Sequence, residues 1–156
     1  DVVPLDLPEQ RLETRSVWYT VPDQILADAK IEPPDVGGSA HAAEHTGIGL
    51  LPLFAMCDRW DIGGVSTPLH QDTGACTVFI YDGYPGGAGI AERGFEAGAE
   101  HLGATLEAIA GCHCESGCPS CVQSPKCGNG NEPLDKHGAI RMLSTILRRR
   151  PLRVVR

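Results

Sequence analysis

The sequence predicts a mixed α/β domain of the α+β class, a few strands packed with three or four helices, with a cysteine loop between the last two helices. Three observations point there. Two short segments are rich in β-branched and apolar residues, and three longer ones carry apolar residues near helical spacing. Nineteen glycines and twelve prolines among 156 residues call for a loop-rich fold. Five of the seven cysteines crowd into residues 112–127. At this length residues 1–156 form a single domain with room for a real core.

The elements follow in order. Residues 11–21 read as a strand, with Leu12, Thr14, Ser16, Trp18 and Thr20 on one face. Residues 31–39 are a Pro/Gly loop, and Ser39 is placed to cap a helix over 40–57. Its run from Ile48 to Met56 is apolar nearly all round, which predicts a buried helix, and Pro52 predicts a kink or break. Asp61-Ile-Gly-Gly64 reads as a turn. Residues 75–81 are the best strand, continuously apolar and β-branched, as suits a strand covered on both faces. The glycine-rich turn 82–89 leads into a helix over 90–110, with Ile90, Phe95, Leu102, Leu106 and Ile109 near helical spacing. The cysteine loop occupies 112–131. A last helix spans 136–149, with Asp135 as its N-cap and Pro151 as its stop.

Composition narrows the classes. The net charge of −7 makes the chain a poor autonomous binder of nucleic acid, since phosphate contacts need Lys and Arg. The exception is a basic C-terminal end of Arg141, Arg148, Arg149, Arg150, Arg153 and Arg156. No apolar run reaches the roughly 18 residues of a membrane span, and no secretory signal is present. An odd, clustered set of cysteines fits a reducing compartment, so a cytoplasmic or nucleoid-associated location is expected. The chain opens on Asp1 rather than Met, which reads as a piece of something larger.

The cysteine loop, CHCESGCPSCVQSPKCGNGN, carries the chemistry. Thiols this dense either form disulfides or hold a soft metal, and the spacing favours one structural zinc ion. Cys118-Pro-Ser-Cys121 is a CxxC pair whose short turn lets two thiolates converge. Cys127 is followed by Gly128, which opens its sulfur to backbone N–H groups. Cys112 and Cys114 are harder to use together. In extended backbone they sit roughly 6.5 Å apart along the strand, whereas two sulfurs on one zinc are about 3.8 Å apart. The loop must bend to use both, with His113 as a weaker substitute ligand. Five cysteines, Cys112, Cys114, Cys118, Cys121 and Cys127, therefore compete for four places.

Three further patterns each have a functional and a plain reading. His41-Ala-Ala-Glu44-His45 matches the HxxEH arrangement of inverted zinc proteases, in which Glu is the general base. A protease needs a third ligand, for which Glu92, Glu96 and Glu100 are only generic candidates. The plain reading is a hydrogen-bonded network at a packed helix start. The turn Gly83-Tyr-Pro-Gly-Gly-Ala-Gly89 follows a strand and opens a helix, as anion sites do, but it lacks the lysine of a nucleotide-phosphate loop. Tight helix-on-strand packing is its plain reading. Cys57 and Cys76 lie alone in apolar runs and read as buried free thiols, and Asp58, Arg59 and Asp61 as a salt-bridged turn.

The segments ETRSVWY, HAAEHTGIGLLPL, DIGG, YDGYPGGAGIAERGF, the cysteine loop and LDKHGA together resemble the C-terminal domain of unknown function 1998. This is the zinc-binding domain of MrfA-type superfamily 2 DNA helicases, and the resemblance runs from Glu13 to Leu147. It implies an accessory part of an ATP-dependent 3′-to-5′ DNA helicase or translocase that acts in repair. It implies a zinc held by four of the five clustered cysteines, and a structural or DNA-facing role for HAAEH. The ATPase motor is expected elsewhere, because this chain has neither a GxxxxGK[ST] loop nor an acidic box of helicase type. Its partners would be that motor and single-stranded or forked DNA. The strand would meet Arg93, Lys126, Lys136 and the basic end, with Tyr81, Tyr84 and Trp60 as stacking platforms. The rival readings are an HxxEH metalloprotease and a protein-interaction module without DNA contact.

Overall fold

The computed structural model describes residues 7–149. Three strands and five α-helices are arranged as β1 (Ser16–Val21), α1 (Asp23–Asp28), α2 (Val36–Leu50), β2 (Ile62–Thr67), β3 (Cys76–Asp82), α3 (Ile90–Ala97), α4 (Ala99–Gly111) and α5 (Lys136–Arg148). The sheet is antiparallel with β3 in the centre, in the order β1-β3-β2. Trp18 and Val65 both lie opposite Phe79. No helix among the described residues is long and apolar enough to cross a membrane.

Helix α2 is the hub. It packs on β2 and β3 on one side and on α4 and α5 on the other. Small side chains make this possible: Ala40, Ala42 and Ala43 are fully or almost fully buried. The apolar run 48–56, expected to be a buried helix, instead lies mostly beyond α2, with Leu51 and Ala55 buried but Leu53 and Met56 exposed. Between α2 and the sheet lies a cluster that includes Val21, Val36, Val78 and Met142. A second joins Ala42, Ala43, Leu102, Ile109, Val122 and Leu143, and it anchors the cysteine loop to three helices. Each Leu or Ile fully buried there contributes about 1.5–3 kcal/mol. Close approach has one strict requirement. A Cβ on Gly138 would collide with Ser39 Oγ, so α5 can meet α2 only with glycine at this position.

Several boundaries differ from those expected. Strand β1 begins at Ser16, because the preceding residues form irregular bonds instead: Gly86 N–H donates to Glu13 O at 2.8 Å, and Thr14 Oγ1 donates to Asp82 O at 2.8 Å. Helix α2 starts at Val36, so Ser39 is inside it, donating to Asp35 O at 2.8 Å rather than capping. The helix stops at Leu50, just before a 3-10 turn containing Pro52. Of the segment 61–64 expected as a turn, only Asp61 lies in one, a 3-10 turn over Arg59–Asp61, while Ile62, Gly63 and Gly64 start β2. Both glycines are needed there: a Cβ on Gly63 would strike the Tyr81 ring, and one on Gly64 would lie 2.7 Å from Ile48 Cδ1. The helix expected over 90–110 is two helices, broken at Gly98, whose φ of +47° a side chain resists. Helix α1 had no clear periodic signal in six residues. In α5, Asp135 caps as expected, its side chain accepting from Gly138 N–H at 2.8 Å. Arg150, Pro151, Arg153 and Arg156 lie outside the described residues.

Candidate metal centre

The fold sorts the five clustered cysteines into two groups. Cys112 ends α4 as its C-cap, and the chain then bends back so that Cys114 Sγ lies 3.6 Å from Cys112 Sγ. The CxxC turn brings Cys118 and Cys121 together, with Cys121 N–H donating to Cys118 O at 3.0 Å. Sulfur separations are 3.5 Å for Cys112–Cys118, 3.5 Å for Cys114–Cys121 and 3.8 Å for Cys118–Cys121. A tetrahedron with 2.3 Å zinc–sulfur bonds has edges of about 3.8 Å, so the four sulfurs are spaced for one zinc ion. All seven cysteines are free thiols, so no disulfide competes.

Neighbouring groups fit the same ion. Lys136, at the start of α5, is only 4% exposed, and its ammonium donates to Cys112 O at 2.8 Å, Cys114 O at 2.6 Å and Cys114 Sγ at 3.2 Å. Burial works against a Cys114 thiolate, but the Lys136 ammonium and the three neighbouring thiols outweigh it and bring the thiol down to about 6. Burial pushes Cys121 up to about 12, and the adjoining thiols reinforce that. Four sulfurs cannot share so small a space as bare anions, and a divalent cation removes that repulsion while taking up the thiolates. Removing the lysine as Lys136→Met should weaken zinc binding about 10–100-fold, the usual effect of losing a group that supports a ligand. Competition against a chromophoric chelator measures this, and unchanged affinity would remove Lys136 from the account.

Cys127 stands apart. Its sulfur lies 3.5 Å from His41 Nε2 and accepts Asn131 N–H at 3.3 Å. His41, His45 and Cys127 form a second group whose ligand atoms all lie within 4.8 Å of one another. The third member is thus a cysteine from the loop, and not Glu92, Glu96 or Glu100. Glu44 is buried, and burial raises its carboxyl above the usual carboxylate range despite a hydrogen bond from Ser66. Burial holds His45 below the ordinary imidazole value. His113 is exposed and joins neither group.

The glycine-rich turn carries its own anion. Asp82 is fully buried, and its carboxylate accepts N–H groups from Tyr84 at 3.2 Å, Ala88 at 2.5 Å and Ile90 at 3.2 Å. The positions that would greet a phosphate are therefore filled from within. Asp58 and Asp61 make a reciprocal cap on a 3-10 turn rather than ion pairs, and Asp61 also accepts the Tyr84 hydroxyl at 2.6 Å. Cys76 is buried, with its thiol pushed up to about 11 by burial, whereas Cys57 is only half-buried.

The basic groups expected to meet DNA are mostly engaged internally. Lys126 donates to Arg59 O at 3.0 Å and Ile62 O at 2.6 Å, and lies over the Trp60 ring. Lys136 serves the metal loop. Arg93 pairs with Glu96 at 3.1 Å, Arg141 donates to Ala29 O at 3.1 Å, and Arg149 pairs with Asp28. Among the expected platforms, Trp60 and Tyr84 are 64% and 48% exposed. Tyr81 is half-buried.

A four-sulfur zinc centre that staples a loop onto a small α+β core defines a structural zinc domain. The chain matches the family described as the MrfA Zn-binding domain over residues 43–122 and belongs to it. The matched segment takes in all four converging cysteines and ends short of Cys127. An uncharacterized protein of Methanocaldococcus jannaschii is 43% identical over 112 residues, covering 69% of this chain and 98% of that protein. The uncharacterized ATP-dependent helicase YprA of Bacillus subtilis is 36% identical over 121 residues, covering 76% of this chain but 16% of the helicase. The crystal structure of the DUF1998 helicase MrfA bound to DNA superposes with a TM-score of 0.71 at 30% identity, covering 92% of this chain and 18% of that one. The chain thus spans nearly all of the archaeal relative and about a sixth of the helicases.

Proposed function

We propose that this chain is the zinc-stabilised accessory domain of an ATP-dependent superfamily 2 DNA helicase or translocase. That enzyme would move 3′ to 5′ and serve DNA repair, in the cytoplasm or on the nucleoid. The single observation that carries the proposal is the convergence of Cys112, Cys114, Cys118 and Cys121 in a fold shared with a DNA-bound helicase. These four are the proposed zinc ligands. The ion would act as a staple, with no open coordination position for catalysis. ATP hydrolysis would belong to a motor outside residues 1–156.

The domain's own contact with DNA would be light. Its net charge is −7, and two of its three lysines, Lys126 and Lys136, are committed to backbone carbonyls, so phosphate neutralisation must come chiefly from the motor. What the domain offers is a ridge of Trp60 and Tyr84, linked through Asp61, on which unstacked bases could rest. Stacking of this kind is worth about 1–3 kcal/mol per base. In the intact parent protein, Trp60→Ala with Tyr84→Ala should weaken forked-DNA binding at least about fivefold, the low end of that range. Fluorescence anisotropy on forks with 3′ or 5′ tails measures the loss. Unwinding should require the 3′ tail. Unchanged fork binding would favour a module that touches only protein, and absence of ATP-dependent unwinding would overturn the helicase assignment.

A further inference from the structure

We propose that His41, His45 and Cys127 form a second metal site, distinct from the four-sulfur centre, which takes a zinc-type divalent cation through two imidazole nitrogens and one thiolate. The imidazoles are already oriented for it. His41 Nδ1 lies 2.8 Å from Pro133 O, and His45 Nδ1 lies 2.7 Å from Val122 O. A carbonyl oxygen can only accept, so both Nδ1 atoms carry the proton. In each neutral ring the lone pair then falls on Nε2. Metal-bound histidines are held in this way, with the far ring nitrogen donating to a carbonyl or carboxylate.

The spacing along α2 brings the rings together. Positions 41 and 45 are one turn apart on one helix face, and their centroids are 4.2 Å apart. The thiol comes from a loop shaped to deliver it. Asn131, at a φ of +62°, accepts Ser124 N–H on its side chain at 2.7 Å and donates back to Ser124 O at 3.1 Å. Its own N–H donates to Cys127 Sγ at 3.3 Å. The group thus gathers two nitrogen lone pairs and a sulfur that accepts a backbone N–H, with a single thiol proton to share among them. A purely hydrogen-bonded network pairs donors with acceptors, and this group has a surplus of acceptors. A cation bound among them would take up these lone pairs.

Two nitrogens and one sulfur suit a borderline-soft first-row ion such as Zn²⁺, and they exclude Mg²⁺ and Ca²⁺, which take oxygen ligands. Three protein ligands leave a fourth position for water. The site borders a cavity of about 730 Å³, whose walls include Glu44, Ser66, Trp60 and Lys126, so that position has access to solvent. The ion would tie α2 to the segment following the four-sulfur centre. This proposal does not depend on the parent being a helicase.

The test uses the whole 156-residue chain, loaded with Zn²⁺ and freed of loosely bound metal by gel filtration. Elemental analysis should give two zinc ions per chain, falling to one in Cys127→Ala and in the double variant His41→Ala, His45→Ala. Both variants should keep the four-sulfur centre. Cobalt substitution should show fewer sulfur-to-cobalt charge-transfer bands in Cys127→Ala. A wild-type chain that holds one zinc, or variants that still hold two, would overturn the proposal. Should the variants fail to fold, zinc-edge absorption spectroscopy of the wild type decides alone. Two sites give a mixed nitrogen and sulfur shell, whereas a pure four-sulfur shell contradicts the second site.

Discussion

Replacing Cys118 and Cys121 together with serine removes the structural zinc and unfolds the domain. Structural zinc supplies about 10–16 kcal/mol of apparent binding free energy in small domains, whereas whole domains are stable by only about 5–15 kcal/mol. The loop cannot hold its place by packing alone. Its buried contribution to the core is Cys121 and Val122, and two of its main-chain ties to α2 run through the same turn: Thr46 Oγ1 donates to Cys121 O at 3.1 Å, and His45 Nδ1 meets Val122 O. Loss of the metal frees the turn, and with it the contacts of α2, α4 and α5 around Ile109 and Leu143. Circular dichroism and zinc content measured on the same sample check this. A double variant with the wild-type melting temperature would show that the ion is not a staple.

Asp82→Ala should destabilise the domain by about 3–5 kcal/mol without touching the metal. The carboxylate satisfies three N–H groups at the turn entering α3, the Ile90 bond buried and those of Tyr84 and Ala88 part-buried, and a buried donor left unpaired costs about 1–3 kcal/mol. Because Asp82 is fully buried, water does not readily replace it. The turn it organises also positions Ile90, which packs with Leu51, Ile62 and Ile80. Urea unfolding at constant zinc load measures the effect. A loss below about 1 kcal/mol would mean that the turn holds its shape through its glycines alone, in which case the carboxylate is not its organising group.

The two predictions bear on what the sequence could and could not convey. The central strand β3 was legible because a short, continuously apolar and β-branched run reads the same in any setting. It is not covered on both faces as expected: the face of Cys76, Val78, Ile80 and Asp82 is buried, while Phe79 and Tyr81 are half-buried beside the exposed Trp18 and Val65. The cap Asp135 and the apolar face of α5 were legible for the same reason. Strand β2 was hidden by Gly63 and Gly64, whose presence reflects the Tyr81 ring and the α2 side chains they face, all distant in sequence. The break at Gly98 was hidden because apolar spacing carries across it in register.

The site divides in the same way. A metal-binding cysteine loop was plain from spacing, but the partition of its thiols was not. Cys112 and Cys114 can share an ion only because the chain turns sharply after α4. Cys127 is drawn away by histidines 86 and 82 residues earlier, and that pairing is a fact of tertiary packing. The HxxEH signal and the spare thiol were each visible, and only the fold joins them. Lys126 and Lys136 looked like DNA contacts because an isolated lysine gives no sign that its ammonium is consumed by main-chain carbonyls.

Anomalous diffraction at the zinc absorption edge, from a crystal of this chain, tests the central claim most directly. The account predicts a strong peak equidistant from the sulfurs of Cys112, Cys114, Cys118 and Cys121, about 2.3 Å from each. A folded chain with no anomalous peak among those sulfurs, or with the sulfurs bonded to one another, would contradict it.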